Sequence, residues 1–259
     1  RKIKKVGILG AGTMGSQIAA HLANVGIPSV LLDMPKQGES KNKLAQLALK
    51  RLTKMKPDPL FSQRLLRLIQ PGNLEDDVCF LRDCDWVVEA VVEHLNVKQE
   101  LWERVEPKLS EGTIVSSNTS GLSIEAIAAG RSINFRSHWL GTHFFNPPRY
   151  MKLLEIIPGP DTLPEVVKCF SGFGERVLGK GIVFAKDRPN FVANRIGAFA
   201  LSLAMHLTER NGLSITDVDS LTGPLIGRPK TATFRLADLI GNDVLFNVSE
   251  NLYDSLPCD

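Results

Sequence analysis

Apolar positions change their spacing several times along the chain, and each change marks a new element. Val6, Ile8 and Leu9 form a short apolar run that reads as a buried strand ending at Gly10. Beyond it Ile18, Leu22 and Val25 recur at the spacing of one helix face. "PSVLLD" then reads as a second strand, closing on Asp33. Farther along, "CDWVVEAVVE" reads as a buried strand, "NVKQELWERVEPKL" as an amphipathic helix and "TIVSSNTS" as a strand running into polar residues. "SIEAIAAG" makes a short helix and "THFF" the next strand. Strands alternating with helices predict a mostly parallel sheet covered on both faces. After Lys186 the alternation stops. "NFVANRIGAFALSLAMHLTERNG" reads as a long, mostly apolar helix stopped at Asn211-Gly212, and "SITDVDSLTG" as a helix opened by a Ser-x-x-Asp cap. "TATFRLADLIG" and "NDVLFNVSENLYDSL" supply more. The expected organisation is an α/β domain over residues 1–188 and an all-helical C-terminal domain over 189–259.

The first strand and helix are joined by glycines. Gly10, Gly12 and Gly15 fall at G-x-G-x-x-G spacing, with Thr13 and Met14 between them. A turn of this kind lets backbone approach a pyrophosphate, which then meets unpaired N–H groups at the helix start. Asp33 closes the second strand, where a carboxylate accepts hydrogen bonds from adenosine ribose hydroxyls and repels a 2′-phosphate. These features predict a Rossmann-type, mostly parallel sheet with NAD as cofactor; FAD-binding proteins share the fingerprint. Ligands on such sheets lie at the carboxyl ends of the strands. Glu93, the stretch Ser117–Ser120 and Asn146 follow strand ends and are expected along that rim.

About fifty residues separate Asp33 from the strand at Trp86, more than one crossover helix requires. "KNKLAQLALKRLTKMK" and "FSQRLLRLIQ" read as two helices, a helical basic insertion at about 36–70. From Lys36 to Arg67 nine Lys or Arg face two acids, Glu39 and Asp58. Such a run is a solvated face or a grip on an anionic ligand. Too few aromatics are interleaved for a nucleic-acid surface, and a net charge of +3 adds no case for one. No apolar run approaches the roughly 18 residues of a membrane span, and no signal peptide opens the chain. Cys79, Cys84, Cys169 and Cys258 are scattered without C-x-x-C spacing, which fits a reducing compartment and argues against a zinc site or a disulfide framework, and no metal is expected. The start at Arg1 and the stop after "NLYDSLPCD" read as a piece of a longer polypeptide or a trimmed chain.

One stretch carries the chemistry. "GTHFFNPPRYMKLLEII" puts His143 and Glu155 on two apolar runs separated by a proline turn. A hairpin turning about Arg149 sets positions equidistant from it opposite one another, and His143 and Glu155 are each six residues away. A carboxylate beside an imidazole selects its tautomer, orients the ring and stabilises its protonated form. That suits a base removing an alcohol proton as hydride leaves the same carbon. His21 and His206 fall in helical patterns and His94 at a loop or helix start, so these are read as structural; His138 is nearer the site in sequence but precedes the strand and ranks below His143.

The strings "GAGTMGSQIA", "VVEAVVEHLNVKQELW", "SSNTSGLSI", "GTHFFNPPRYMKLLEII", "PNFVANRIG" and "ADLIGND" together resemble the L-3-hydroxyacyl-CoA dehydrogenases of fatty-acid β-oxidation over nearly the whole chain. The resemblance implies NAD-dependent oxidation of (3S)-3-hydroxyacyl-CoA to 3-ketoacyl-CoA, reversibly. His143 would be the general base, with Glu155 its partner; Ser120 and Asn194 would position substrate. It also implies that Glu93, Lys98, Ser120 and Asn146 lie along the cofactor and that the basic insertion, at Lys54 and Lys56, meets coenzyme A. A homodimer, or one part of a longer multifunctional polypeptide, is the expected assembly. The expected location is the cytoplasm of a bacterium or archaeon, or the mitochondrial matrix of a eukaryote. The chain departs from the family's Pro-Gly-Phe with Pro189-Asn190-Phe191, a change that survives where Asn accepts positive φ. Rival readings are a dehydrogenase of a hydroxy or sugar acid, and a non-catalytic NAD-binding protein.

Overall fold

The computed structural model describes residues 2–36 and 38–255; Cys258 lies outside them. The chain divides between Asp187 and Arg188 into two compact units.

The first unit is built on one eight-stranded sheet. Its strands are β1 (Val6–Leu9), β2 (Ser29–Asp33), β3 (Ile69–Asn73), β4 (Trp86–Glu89), β5 (Ile114–Ser117), β6 (Trp139–Phe144), β7 (Leu153–Pro158) and β8 (Gly181–Phe184), in spatial order β3-β2-β1-β4-β5-β6-β7-β8. Only β6 and β7 pair antiparallel; the other neighbours run parallel. The helices are α1 (Thr13–Asn24), α2 (Lys43–Leu52), α3 (Leu95–Val105), α4 (Ile124–Ile127), α5 (Ile133–Ser137) and α6 (Pro164–Arg176).

Alternate strand residues point to opposite faces. Val6, Ile8, Leu31, Trp86, Val88, Leu154 and Ile156 share one face and pack with Ile18 and Leu22 of α1 and Phe170 and Phe173 of α6. The Trp86 ring meets Phe170 edge-on at 4.9 Å between centroids. Truncating so buried an indole costs about 3–5 kcal/mol. The opposite face holds Trp139, packed with Trp102 of α3 and Phe135 of α5 at 5.3 Å each. By the same alternation Glu89, Ser117, His143 and Glu155 fall on this second face. The pleat has therefore sorted the main core to one side and these four polar residues to the other.

Two expectations need correction. "FSQRLLRLIQ" is no α-helix: Gln63–Leu68 is a 3₁₀ turn, and Ile69 already opens β3. β3 contains Pro71, which reads as a strand breaker but is tolerated because β3 is an edge strand paired on one side only. "CDWVVEAVVE" is strand only over Trp86–Glu89, since the chain leaves the sheet at the ligand rim.

The second unit is helical: α7 (Ala193–Arg210), α8 (Ile215–Thr222), α9 (Phe234–Ile240) and α10 (Asn242–Ser255). Asn190 adopts φ 58°, the positive value its place before α7 demands. Ser214 caps α8 by accepting from the Asp217 amide, as its Ser-x-x-Asp start predicts. Gly212 follows α7 at φ 59°.

Candidate active site

The glycine turn is shaped by close contacts. Gly10 has φ 103°, and a Cβ there would lie 2.7 Å from the Ala90 oxygen. A Cβ on Gly15 would fall 1.9 Å from the Gly10 oxygen, so only glycine lets α1 lie this near β1. Around Gly12 a Cβ would meet nothing within 4 Å, so this backbone is open to a ligand. α1 starts with no side-chain cap and no acid in its first turn. Its first N–H groups are thereby suited to a pyrophosphate, and the loop fits the dinucleotide predicted for it.

Asp33 is fastened to that turn. One carboxylate oxygen accepts from the Ala11 amide at 2.6 Å and the other from Met34 at 2.7 Å. Beside it lies a cavity of about 460 Å³ lined by Gly12, Asp33, Leu44, Leu47, Lys50 and Lys54, among others. Arg51, also on this wall, donates to the Ala11 carbonyl at 3.1 Å. The basic helix α2 thus brings cations to the cavity beside Asp33. Lys54 joins that wall; Lys56 is exposed two residues on.

At the carboxyl end of β4 a charged group is buried. Glu89 is 0% exposed and accepts from Lys98 Nζ at 2.6 Å, Ser117 Oγ at 2.6 Å and the Val91 amide at 2.8 Å. Burial pushes the Glu89 carboxyl up, against the Lys98 ammonium and the two other donors that favour its ionised form. Lys98 also reaches Glu93 at 3.2 Å. Glu93 in turn accepts from Thr119 Oγ1 and the Ser120 amide, both at 2.6 Å. Glu93, Lys98 and Ser120, expected together along the cofactor, are joined by these contacts. Asn146, after β6, accepts from Gln17 of α1 at 2.9 Å, which ties the hairpin turn to the helix behind the glycine loop.

The hairpin has the register that a turn about Arg149 predicts. His143 pairs with Glu155 across β6 and β7. Nδ1 of His143 lies 2.7 Å from Glu155 Oε2, and the side chains are 6% and 0% exposed. A buried carboxylate at that distance selects the tautomer with hydrogen on Nδ1 and directs proton exchange to Nε2. The hairpin turn is held from below by Lys180, which donates to the Pro148 carbonyl and to the Met151 carbonyl at 2.7 Å. Burial lowers the Lys180 ammonium to about 8. Asn194 belongs to the other unit, at the second position of α7.

Sequence reasoning missed Glu89, Gln17 and Lys180. For Glu89 a signal existed: like His143, it is a polar residue in an apolar run, "WVVEAVV". Gln17 and Lys180 carry no such mark, since each is polar in a mixed stretch.

Residues 5–188 match the family described as 3-hydroxyacyl-CoA dehydrogenase, NAD binding domain. Residues 191–258 match its C-terminal domain. The chain is 49% identical over 274 residues to a probable 3-hydroxyacyl-CoA dehydrogenase of Bacillus subtilis (strain 168), covering all of this chain and 35% of that protein. It is 48% identical to a probable 3-hydroxyacyl-CoA dehydrogenase of Deinococcus radiodurans, covering 100% of this chain and 75% of that one. Among solved structures, the (S)-3-hydroxybutyryl-CoA dehydrogenase of Ralstonia eutropha superposes with a TM-score of 0.84 at 29% identity, over 99% of this chain and 89% of that one. The chain thus spans about a third of the Bacillus relative and three quarters of the Deinococcus one.

Proposed function

The chain belongs to the 3-hydroxyacyl-CoA dehydrogenase family, and from that premise we propose that it interconverts (3S)-3-hydroxyacyl-CoA and 3-ketoacyl-CoA with NAD. The observation that carries the reading is the buried contact of His143 Nδ1 with Glu155 at 2.7 Å. NAD supplies the hydride acceptor. His143 Nε2 takes the hydroxyl proton during oxidation and returns it during reduction. Glu155 holds the ring in one tautomer and offsets the charge it gains. Ser120 and Asn194 position the substrate oxygen. Gly10, Gly12, Thr13, Met14 and Gly15 cradle the pyrophosphate, Asp33 holds the adenosine ribose, and Glu93, Lys98 and Asn146 line the remainder. Lys54 and Lys56 meet the phosphates of coenzyme A.

α7 exposes Ile196, Phe199, Leu203 and Leu207 at helical spacing. That stripe supports packing on a second copy, or on the corresponding part of a longer multifunctional polypeptide. Among the described residues no helix is long and apolar enough to cross a membrane. The substrate pools belong to a bacterial or archaeal cytoplasm, or to the mitochondrial matrix.

The test is NADH oxidation with acetoacetyl-CoA against free 3-keto acids, repeated with NADPH. Turnover of acetoacetyl-CoA with NADH is expected. Activity on free acids alone would favour the hydroxy-acid reading, and NADH binding without turnover a non-catalytic one. His143→Ala is expected to keep NADH affinity and to lose about 10³-fold in kcat; a fully active variant ends the assignment.

A further inference from the structure

Glu89 has no part in the chemistry above, yet it stands at a singular point of the sheet. From β1 the chain runs outward to β2 and β3, then returns to lay β4 on the other side of β1. The crevice between β1 and β4 is therefore the switch point at which such sheets receive ligands. Glu89 closes β4 there, opposite Leu9, and the next residue donates from its amide to the Leu9 carbonyl at 2.8 Å.

Two short chains of hydrogen bonds lead outward from its carboxylate. Along one, Ser117 Oγ donates to Glu89 and accepts from the Thr119 amide at 3.1 Å. Along the other, Lys98 bridges Glu89 to Glu93, whose Oε1 accepts from Thr119 Oγ1 and the Ser120 amide. The first ends on Thr119 and the second on Thr119 and Ser120. Asn118 ties the same segment to β6, accepting from the Phe144 amide at 3.0 Å; His143 is the preceding residue. A buried ion pair gains little stability over apolar packing, because both charges leave water. Val87 and Val88, its strand neighbours, show what the position would otherwise hold. What the pair achieves is aim.

We propose that Glu89 is a positioning residue for the proposed reaction, fixing Lys98 and Ser117 and through them the Glu93–Thr119–Ser120 segment beside His143. Its kinetic consequence rests on that function; its consequence for nicotinamide cofactor binding does not. Glu89→Gln keeps the shape and removes the charge that opposes Lys98. NADH affinity, read by fluorescence, is expected to fall about fivefold and kcat with acetoacetyl-CoA about tenfold, with KM for acetoacetyl-CoA within about twofold. Ser117→Ala, a milder cut in the same network, is expected to lower both NADH affinity and kcat about threefold, and it decides the matter if Glu89→Gln does not fold. A lowered melting temperature with NADH affinity and kcat unchanged would make Glu89 a fold-stabilising group only and overturn the proposal. If the wild type turns over no acetoacetyl-CoA, the functional reading fails, and the NADH titration of Glu89→Gln still decides this one.

Discussion

The sheet buries two carboxylates on one face, each against a basic partner, and they do opposite things. Glu89 meets Lys98 at 2.6 Å and Glu155 meets His143 at 2.7 Å. Both acids are 0% exposed. An ammonium has three donors and no acceptor, so Lys98 bonds Glu89 and Glu93 together and the first pair is a strut between β4 and α3. An imidazole has two ring nitrogens, so Glu155 can hold one while the other serves the proton exchange proposed for His143. Position agrees with chemistry: Glu89 ends a parallel strand and anchors a rim, whereas Glu155 sits mid-strand in the one antiparallel pair of the sheet, directly across from its partner. Burying a carboxylate is thus one device with two uses, and the geometry of the partner's donors chooses between them.

The largest test of that contrast removes the strut's cation. Lys98→Met leaves Glu89 buried without its counter-charge, and a loss of about 3–5 kcal/mol in unfolding free energy is expected from denaturant titration. The Glu89 carboxyl is already pushed up by burial. Without Lys98 its folded value rises farther above the unfolded one, so the unfolded chain releases its proton first and stability falls as pH rises between the two values. The deficit of Lys98→Met should therefore shrink towards acid pH. A deficit independent of pH would contradict the pairing.

The matching cut in the hairpin should act on rate instead. Glu155→Gln is expected to reduce kcat about 10²-fold, with NADH affinity within about twofold. Equal losses of kcat in Glu155→Gln and Lys98→Met, without loss of stability in the latter, would erase the distinction between strut and relay.

His21 sharpens the comparison from a third side. It is buried like His143, but its Nε2 lies 3.1 Å from the Leu178 carbonyl, and its charged neighbours are the cations Lys180 and Arg149. Burial first, and Lys180 next, lower its pKa from 6.5 to about 4. The unfolded chain then binds the proton more readily, so stability is full above 6.5 and declines as pH falls from 6.5 towards 4. A decline of about 2–3 kcal/mol over that window is expected, and His21→Gln should remove most of it. The smallest effect belongs to Asp33. Asp33→Asn keeps an acceptor but lifts the repulsion of a 2′-phosphate, and the ratio of kcat/KM for NADH over NADPH is expected to fall about tenfold.

Much of this was legible in the chain. The glycine spacing, the strand before it and Asp33 after it specify the dinucleotide turn because each has a local steric or electrostatic cause. The six-residue symmetry about Arg149 placed His143 opposite Glu155 because antiparallel pairing leaves the register no freedom once the turn is known. β3 was misread because Pro71 and Gly72 are poor strand residues, and only the edge position of that strand excuses them. Lys98 was found by resemblance, whereas its partner Glu89 was passed over inside an apolar run.

The sequence by itself determined several local conformations: glycine at the positive-φ positions that follow β1 and α7, asparagine before α7, period two in the strands and a proline turn between His143 and Glu155. These depend on residues adjacent in the chain. Only the tertiary structure decided which buried acid received a lysine and which a histidine. β4 had to lie beside β1 and β5, and α3 to fold back over them, before Glu89, Lys98 and Ser117 could meet. Contacts of that kind join residues whose separation along the chain carries no period, so no pattern in the sequence announces them.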